Sequence, residues 1–202
     1  MLDLDNTLYK HEPCHQAGLT SCWNYFKTKL DIDYTSDNLN SFYQKGRVAV
    51  QKRLFPQGIC RSRLLYFQAM LEEMSIPKAF AKAIELEMSY IDSFLRTMKI
   101  DTCSLIFLKR CKTLNISVCI ISNLATQFQI KKILTLDIQN CVSFLVTSEE
   151  AGIEKPDRTI FEPSLHKLSL PHEDVVMIGD SVSHAIEGAK AIGIKHLLVY
   201  IT

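Results

Sequence analysis

The sequence lacks the features of a secreted, membrane-spanning or nucleic-acid-binding protein. Its 7 cysteines are odd in number and scattered, with no C-x-x-C pair, which argues against a disulfide framework or a zinc knuckle. No apolar run approaches membrane-spanning length, and Asp3 and Asp5 stand where a secretory signal would begin. Lys plus Arg number 23 against 22 for Asp plus Glu, which gives no case for a nucleic-acid or membrane partner. We therefore expect a cytoplasmic protein in a reducing compartment.

The composition is that of an ordinary globular protein, and two parts of the chain differ in their pattern of apolar residues. The 202 residues suffice for one core domain carrying an inserted subdomain. From about residue 104 onward, helical patterns alternate with short β-branched apolar runs, which is typical of a parallel α/β sheet. The predicted strands are residues 116–121, 144–147, 175–178 and 196–200.

The segment from residue 15 to residue 98 contains no convincing strand. Its apolar residues recur at helical spacing, and breaks are predicted near residues 31–37, 55–58 and 76–77. We therefore predict an α/β core of residues 1–14 and 99–202, with residues 15–98 inserted as an all-helical cap. The three predicted buried stripes are Leu19, Cys22, Trp23, Phe26 and Leu30; Leu64, Phe67, Leu71 and Met74; and Phe80, Ile84, Met88, Ile91 and Leu95.

The strongest chemical signal is the hexapeptide that runs from Asp3 to Leu8. Side chains alternate along an extended strand, so carboxylates at Asp3 and Asp5 face the same way at a strand end. One of them can attack an electrophile while the other transfers protons. Taken alone, the hexapeptide could also be a solvated acidic turn.

Three further signals follow along the chain. Ser122 and Asn123 close an apolar run with a hydroxyl and an amide, which are good donors to a phosphate. Lys155 supplies a cation just before a predicted helix, and Asp180 ends another buried strand in a carboxylate. Open α/β sheets bind their ligands at such strand ends.

These four signals, in this order, resemble the four motifs of the haloacid dehalogenase-like hydrolases. The resemblance is close over residues 105–200 and weak over residues 15–98, where only a helical cap of similar length is shared. It implies a Rossmann-like parallel sheet core with an inserted helical cap. It also implies a phosphatase in which Asp3 forms an aspartyl-phosphate, while Asp5 protonates the leaving alkoxide and then activates water. Dehalogenating members lack a carboxylate at the position of Asp5, which makes dehalogenation a minor alternative.

The resemblance also implies a ligand set. Mg²⁺ is expected at Asp3, Asp180 and the backbone carbonyl of Asp5. The phosphoryl oxygens are expected to be held by Ser122, Asn123 and Lys155. Thr7 is expected at the same phosphate site, where its hydroxyl would orient Asp5.

The substrate is expected to be a small phosphorylated metabolite, such as a sugar phosphate or a nucleotide. Within the predicted cap, Arg61 and Arg63 are the basic pair most suited to an acidic substrate, although solvated surface charge is the alternative reading of each. We expect a monomer or a homodimer without a nucleic-acid or membrane partner.

Three features depart from the family pattern. Only Met1 and Leu2 precede Asp3, so the first strand is expected to be nearly absent; an alternative start site, a truncated gene and a genuine feature all stay open. The chain also stops at Thr202, soon after its last predicted strand. Ala185 stands where a second acid usually holds metal-bound water, which predicts weaker metal binding. The alternative function is therefore a catalytically weakened scaffold that binds a ligand or a partner.

Overall fold

The computed structural model describes residues 1–30 and 34–201. The chain forms two compact units, an α/β unit and a helical unit. The α/β unit comprises Met1–His11, Pro56–Ile59 and Met98–Thr202, and the helical unit comprises Glu12–Phe55 and Cys60–Thr97. The boundaries between the units lie a few residues from those expected from the sequence. In addition, Pro56–Ile59, expected within the cap, belongs to the α/β unit.

The helices that account for most of the helical unit are α1 (His11–Lys29), α2 (Ser36–Leu54), α3 (Arg63–Glu73) and α4 (Ala79–Thr97). Side-chain oxygens cap two of them, because Thr35 accepts from the Asn38 amide and Ser62 accepts from the Leu65 amide. The predicted breaks at 55–58 and 76–77 are confirmed, since α2 ends at Leu54 and α3 ends at Glu73. The predicted break at 31–37 lies partly outside the described residues.

Two of the predicted helical stripes are largely buried, and the third is wrong. On α4, Phe80 is 70% exposed and Met88 is 64% exposed. The buried face of α4 lies one residue away, roughly 100° around the helix, and it ends in Tyr90 and Phe94. The small residues Ala79 and Ala83 at the start of this buried face allow close packing. Near its end, the Tyr90 ring centroid lies 6.0 Å from that of Phe67. Two apolar stripes run side by side on α4, and spacing alone does not distinguish them.

The α/β unit is built on short parallel strands. Strand β1 (Cys119–Ser122) pairs with β2 (Phe144–Thr147), and β3 (Val176–Gly179) pairs with β4 (Lys195–Leu198). Leu2 lies between the two pairs and bridges both β1 and β3 in parallel. The strand order is therefore β2, β1, the amino-terminal segment, β3, β4, which confirms the predicted Rossmann-like parallel core.

Helices cover this sheet between its strands. They are α5 (Thr102–Thr113), α6 (Thr126–Thr135), α7 (Ser148–Ala151), α8 (Glu162–Leu168) and α9 (Glu187–Ala191), the last preceded by a π-helical turn at Val182–Ile186. One buried core cluster joins the sheet to α9 and includes Met1, Ile121, Val146, Met177 and Ala185. Of the described helices, none is long and apolar enough to cross a membrane.

The amino-terminal segment is a very short central strand. The amide of Leu2 donates to the Cys119 carbonyl at 2.9 Å, and the Ile121 amide donates to the Leu2 carbonyl at 3.0 Å. On the other side, the amide of Asp3 donates to the Ile178 carbonyl at 2.8 Å. Three residues thus suffice to place Asp3 at the carboxyl end of the sheet, between its neighbouring strands.

The segment Pro56–Ile59 interrupts the helical unit and packs within the α/β unit. The Gly58 amide donates to the Gly152 carbonyl and the Ser148 hydroxyl donates to the Gly58 carbonyl, both at 2.9 Å. A Cβ at Gly58 would lie 1.8 Å from the Ser148 carbonyl oxygen, so this close approach requires glycine.

Candidate active site

The sheet brings three of the four sequence signals to one edge. Asp3 follows the central segment, Ser122 ends β1, and Asp180 follows β3 directly. These strands are parallel, so their carboxyl ends lie at the same edge of the sheet. Gly179 keeps this edge tight, because a Cβ there would lie 3.3 Å from the Asp3 Cβ and 2.7 Å from the Ala185 Cβ.

The fourth signal joins the edge through a buried ion pair. Lys155 Nζ donates to Asp3 Oδ1 at 2.8 Å and to the Ile121 carbonyl at 2.8 Å. The side chains of Lys155 and Asp3 are only 2% and 11% exposed. The Leu4 amide also donates to Asp3 Oδ1 at 2.8 Å. Both of these donors therefore contact Oδ1 of Asp3, and neither contacts Oδ2.

Asn123 holds the backbone of Lys155 in place. Its side-chain Oδ1 accepts from the Lys155 amide at 2.7 Å, and its Nδ2 donates to the Lys155 carbonyl at 3.0 Å. This reciprocal pair engages both ends of the Asn123 amide group. Asn123 thus acts in this structure as a clamp on Lys155, beside the phosphate-binding role that the sequence suggests.

Ser122 is buried and its hydroxyl has a defined neighbour. Gln129 Nε2 donates to Ser122 Oγ at 2.7 Å. Since this oxygen accepts from Gln129, the Ser122 hydroxyl hydrogen is available to another acceptor, such as a phosphoryl oxygen. Gln129 itself is fully buried, and its Oε1 has no hydrogen-bond partner within the described chain.

The negative charge of Asp3 acts on the neighbouring carboxyl group of Asp180. Partial burial raises the pKa of Asp180, and the neighbouring carboxylate of Asp3 raises it further. Thr7 Oγ1 lies 3.5 Å from Asp180 Oδ1, a long hydrogen bond. The Thr7 hydroxyl thus faces Asp180 in this structure, whereas the sequence suggested that it orients Asp5.

Asp5 is held by two donors from within the same unit. Lys132 Nζ donates to both carboxylate oxygens, at 2.7 and 3.0 Å, and the Tyr9 hydroxyl donates to Oδ1. Burial opposes ionisation of Asp5, but the charges of Lys132 and His11 and these hydrogen bonds outweigh it and hold its pKa well below the usual range. The carboxylate shown here is therefore the base form of the residue.

Sequence reasoning missed Lys132, Gln129 and Tyr9. Lys132 and Gln129 lie on the buried face of α6 together with Phe128 and Ile133. Two polar residues three positions apart on an otherwise apolar helix face are the signal that could have identified them. Tyr9 follows the hexapeptide and is completely buried.

Arg61 and Arg63 belong to the helical unit. The Arg63 guanidinium lies among aromatic rings, with its central carbon 5.3 Å from the Tyr66 ring centroid and 5.6 Å from that of Tyr90. Its Nε is buried and has no hydrogen-bond partner among the described residues. Arg61 is half-buried at the start of the same segment.

The carboxylates at the sheet edge match the chemistry of a hard cation. Asp3 and Asp180 supply neighbouring carboxylate oxygens and Asp5 supplies a backbone carbonyl, a donor set that suits Mg²⁺. Burial is the main cause of the raised pKa of Asp180, and the neighbouring Asp3 charge, which a cation would offset, adds to it. Within the part of the chain that the structure describes, there is no group of three or more His, Cys, Asp or Glu side chains that could hold a metal. Ala185, completely buried in the core, supplies no ligand.

Comparison with known proteins agrees with this geometry. The family model described as haloacid dehalogenase-like hydrolase matches residues 1–199. Ribulose-1,5-bisphosphate 5-phosphatase of Halopiger xanaduensis is 31% identical over 198 residues, which cover 98% of this chain and 82% of that protein. Glyceraldehyde 3-phosphate phosphatase of Methanothermobacter thermautotrophicus is 38% identical over 80 residues, or 40% of this chain and 35% of that protein.

Solved structures show the same fold. A 2-haloacid dehalogenase from Pseudomonas syringae pv. Tomato DC3000 superimposes with a TM-score of 0.79 at 18% identity, covering 98% of this chain and 84% of that one. A HAD phosphatase from Thermococcus onnurineus gives a TM-score of 0.70 at 16% identity, with 98% and 84% of the two chains covered. The chain belongs to the haloacid dehalogenase-like hydrolase family. Within that family it is a phosphatase-type enzyme.

Proposed function

We propose that this enzyme hydrolyses a small phosphorylated metabolite, with a sugar phosphate as the leading class, through an aspartyl-phosphate on Asp3. The observation that carries the proposal is the buried pair in which Lys155 and a backbone amide hold Asp3 Oδ1. A nucleophile fixed at one oxygen presents the other in a defined direction. Support for the substrate class comes from the sugar-phosphate phosphatases among its relatives.

The reaction proceeds in two displacements at phosphorus. In the first, an oxygen of Asp3 bonds to phosphorus, the bond from phosphorus to the ester oxygen breaks, and the departing alkoxide takes a proton from Asp5. In the second, Asp5 takes a proton from water as the water oxygen bonds to phosphorus. The bond to Asp3 then breaks and phosphate leaves. The ionised, doubly held Asp5 of this structure corresponds to the base that the second displacement requires. The proton that Asp5 takes from water in that step is the one that it gives to the alkoxide in the next turnover.

The substrate phosphoryl group brings negative charge that the site must balance. Lys155 and the Ser122 hydroxyl would hold its oxygens, with Asn123 keeping Lys155 in place. Thr7 would complete this group of donors. Asp3, Asp180 and the carbonyl of Asp5 would hold Mg²⁺, which when bound neutralises charge on the phosphoryl oxygens.

Within the helical unit, Arg61 and Arg63 are proposed as the basic residues most suited to an anionic group. The support is that the buried Arg63 Nε has no hydrogen-bond partner among the described residues. We also propose that the protein acts in the cytoplasm, because its seven cysteines are free thiols in the structure.

The proposal is tested by paired variants of the two carboxylates. Asp3→Asn should abolish Mg²⁺-dependent phosphate release from a panel of sugar phosphates. Asp5→Asn should still accept the phosphoryl group from p-nitrophenyl phosphate, whose phenolate leaves without a proton, but release it slowly, so that intact-protein mass spectrometry detects a phosphorylated chain that hydroxylamine cleaves. A folded wild-type protein that releases no phosphate from any substrate would favour the alternative of a binding scaffold. Activity retained in Asp3→Asn would refute the proposed nucleophile.

A further inference from the structure

We infer that Lys132 is a positioning residue for the proposed reaction: it holds the Asp5 carboxylate where a proton can be exchanged with the leaving group and with water. The inference rests on the proposed function and adds to it a residue outside the four sequence signals. It follows from where α6 places this lysine and from what the lysine contacts.

Lys132 is a cation in a position that would ordinarily be apolar. Its side chain is 1% exposed, and its Nζ lies 4.6 Å from the Phe128 ring centroid and 5.8 Å from that of Tyr9. Enclosing an ammonium in such surroundings is costly unless an anion and hydrogen bonds compensate it. Asp5 is that anion, at 2.7 and 3.0 Å from its two oxygens. The neighbouring Lys131 is exposed.

The position of Asp5 explains why it needs such a tether. Its side chain is 26% exposed, on the turn that follows the central segment, so that its own burial does not fix its rotamer. Lys132 Nζ donates hydrogen bonds to both carboxylate oxygens of Asp5, and the Tyr9 hydroxyl donates to one of them. A carboxylate held by three hydrogen bonds from two residues can pivot only slightly, which keeps it in one direction relative to Asp3. A misplaced proton donor slows the reaction even when the substrate is bound normally.

This role predicts a dependence on the leaving group. An alkyl phosphate releases a strongly basic alkoxide, which needs a proton from Asp5 as the bond breaks. p-Nitrophenyl phosphate releases a stable phenolate, which needs none. Loss of the tether should therefore lower kcat/KM, which reports the first displacement, for the alkyl ester and spare it for the aryl ester, whereas a general loss of folding would lower both equally.

The experiment compares Lys132→Met, Lys132→Arg and the control Lys131→Met, with glycerol phosphate and p-nitrophenyl phosphate as substrates. In Lys132→Met, we expect kcat/KM for glycerol phosphate to fall about 10- to 100-fold, part of the 10²–10⁴-fold that a positioned general acid contributes. The kcat/KM for the aryl ester should change less than about threefold, whereas its kcat falls to the extent that the second displacement, which also uses Asp5, limits turnover. Lys132→Arg should recover much of the lost rate, and Lys131→Met should match wild type.

A second comparison isolates the contact with Asp5. Adding Lys132→Met to Asp5→Asn should cause no further loss, because the residue to be positioned is already neutral. This double variant removes both charges, so it keeps the test available if Lys132→Met alone does not fold. Equal losses of kcat/KM on both esters, or a further loss in the double variant, would overturn the inference. Phosphatase activity that survives in Asp3→Asn would instead refute the proposed function and leave the two failures distinguishable.

Discussion

Asp3 and Lys155 lie 152 positions apart in the chain, yet their side chains form a buried ion pair of 2.8 Å at the carboxyl edge of the sheet. The same lysine nitrogen also donates to the Ile121 carbonyl, so one cation ties the central segment to β1. Removing one partner of such a pair leaves the other charge buried and uncompensated. The Asp3–Lys155 pair therefore contributes both to the stability of the fold and to the proposed reaction.

The first prediction concerns this pair. Lys155→Met should abolish phosphatase activity and lower the free energy of unfolding by about 3 kcal/mol, the lower end of the range for a broken buried pair, since Asp3 keeps some exposure. Combining it with Asp3→Asn should restore most of that stability, because no lone carboxylate remains. Urea denaturation of the single and double variants measures both effects. A double variant no more stable than Lys155→Met would contradict this account.

The second prediction concerns the pH dependence of stability at Asp180. Burial and the Asp3 charge raise its folded-state pKa above 3.8, so the folded protein loses stability as pH rises from 3.8 through the raised pKa. Asp180→Asn removes this penalty. Because water screens a half-buried charge, we expect only about 0.5 kcal/mol at pH 7, or a thermal midpoint higher by about 1–2 °C.

Two controls accompany the Asp180 experiment. The advantage of the variant should shrink as the pH is lowered through the raised pKa and vanish below 3.8, where the wild-type carboxylate is protonated in both states. Added Mg²⁺ should raise the midpoint of the wild type but leave that of the variant nearly unchanged. A variant less stable than wild type at neutral pH, without added metal, would show that the Thr7 contact outweighs the repulsion from Asp3.

The third prediction concerns Ala185, where the family pattern places a second acid. Ala185→Asp should tighten Mg²⁺ binding measured by calorimetry, but the side chain at this position is completely buried in the core with Met177. We therefore expect the metal-free variant to be destabilised by about 1–3 kcal/mol. Added Mg²⁺ should raise the free energy of unfolding of Ala185→Asp by more than it raises that of the wild type. Ala185→Asn is the control of equal size, and equal rescue of the two variants would show that the carboxylate does not reach the metal.

The sequence carried enough information to place Asp3, Asp180 and the parallel core, because strand ends in a parallel sheet share one edge whatever their separation along the chain. It did not reveal that Lys132 faces Asp5, since that depends on how far α6 is rotated over the sheet. The buried face of α4 was missed for a similar reason. Periodicity identifies a helix, whereas packing against neighbouring side chains decides which of two adjacent apolar faces is covered.

The fourth prediction concerns the short central segment. The Met1 ammonium donates to the Val176 carbonyl at 2.8 Å, and burial lowers its pKa. Beside it lies a cavity of ≈ 580 Å³ whose lining includes Val118, Val175 and Leu168. Adding about five β-branched residues before Met1 should extend the ladder to the typical length of about 5–6 residues and replace a buried charge with an amide. We expect the thermal midpoint and the phosphatase rate to rise together.

A five-residue Gly-Ser extension is the matched control for this change. It also replaces the ammonium with an amide, but it brings no apolar side chains to the cavity and has little strand propensity. The β-branched extension should therefore raise the midpoint well above that of the Gly-Ser version. Equal midpoints in the two extended chains would show that the cavity takes no part in the stability of the sheet.

The packing of Pro56–Ile59 within the α/β unit has a consequence for modular exchange. The chain passes between the units at four places, after His11, Phe55, Ile59 and Thr97, where a simple insertion would have two. A chimera that replaces everything from residue 12 to residue 97 would thus remove Gly58, on which the turn at Ser148 and Gly152 depends. The helical unit is transferable only as two separate pieces of chain, each joined to a retained tetrapeptide.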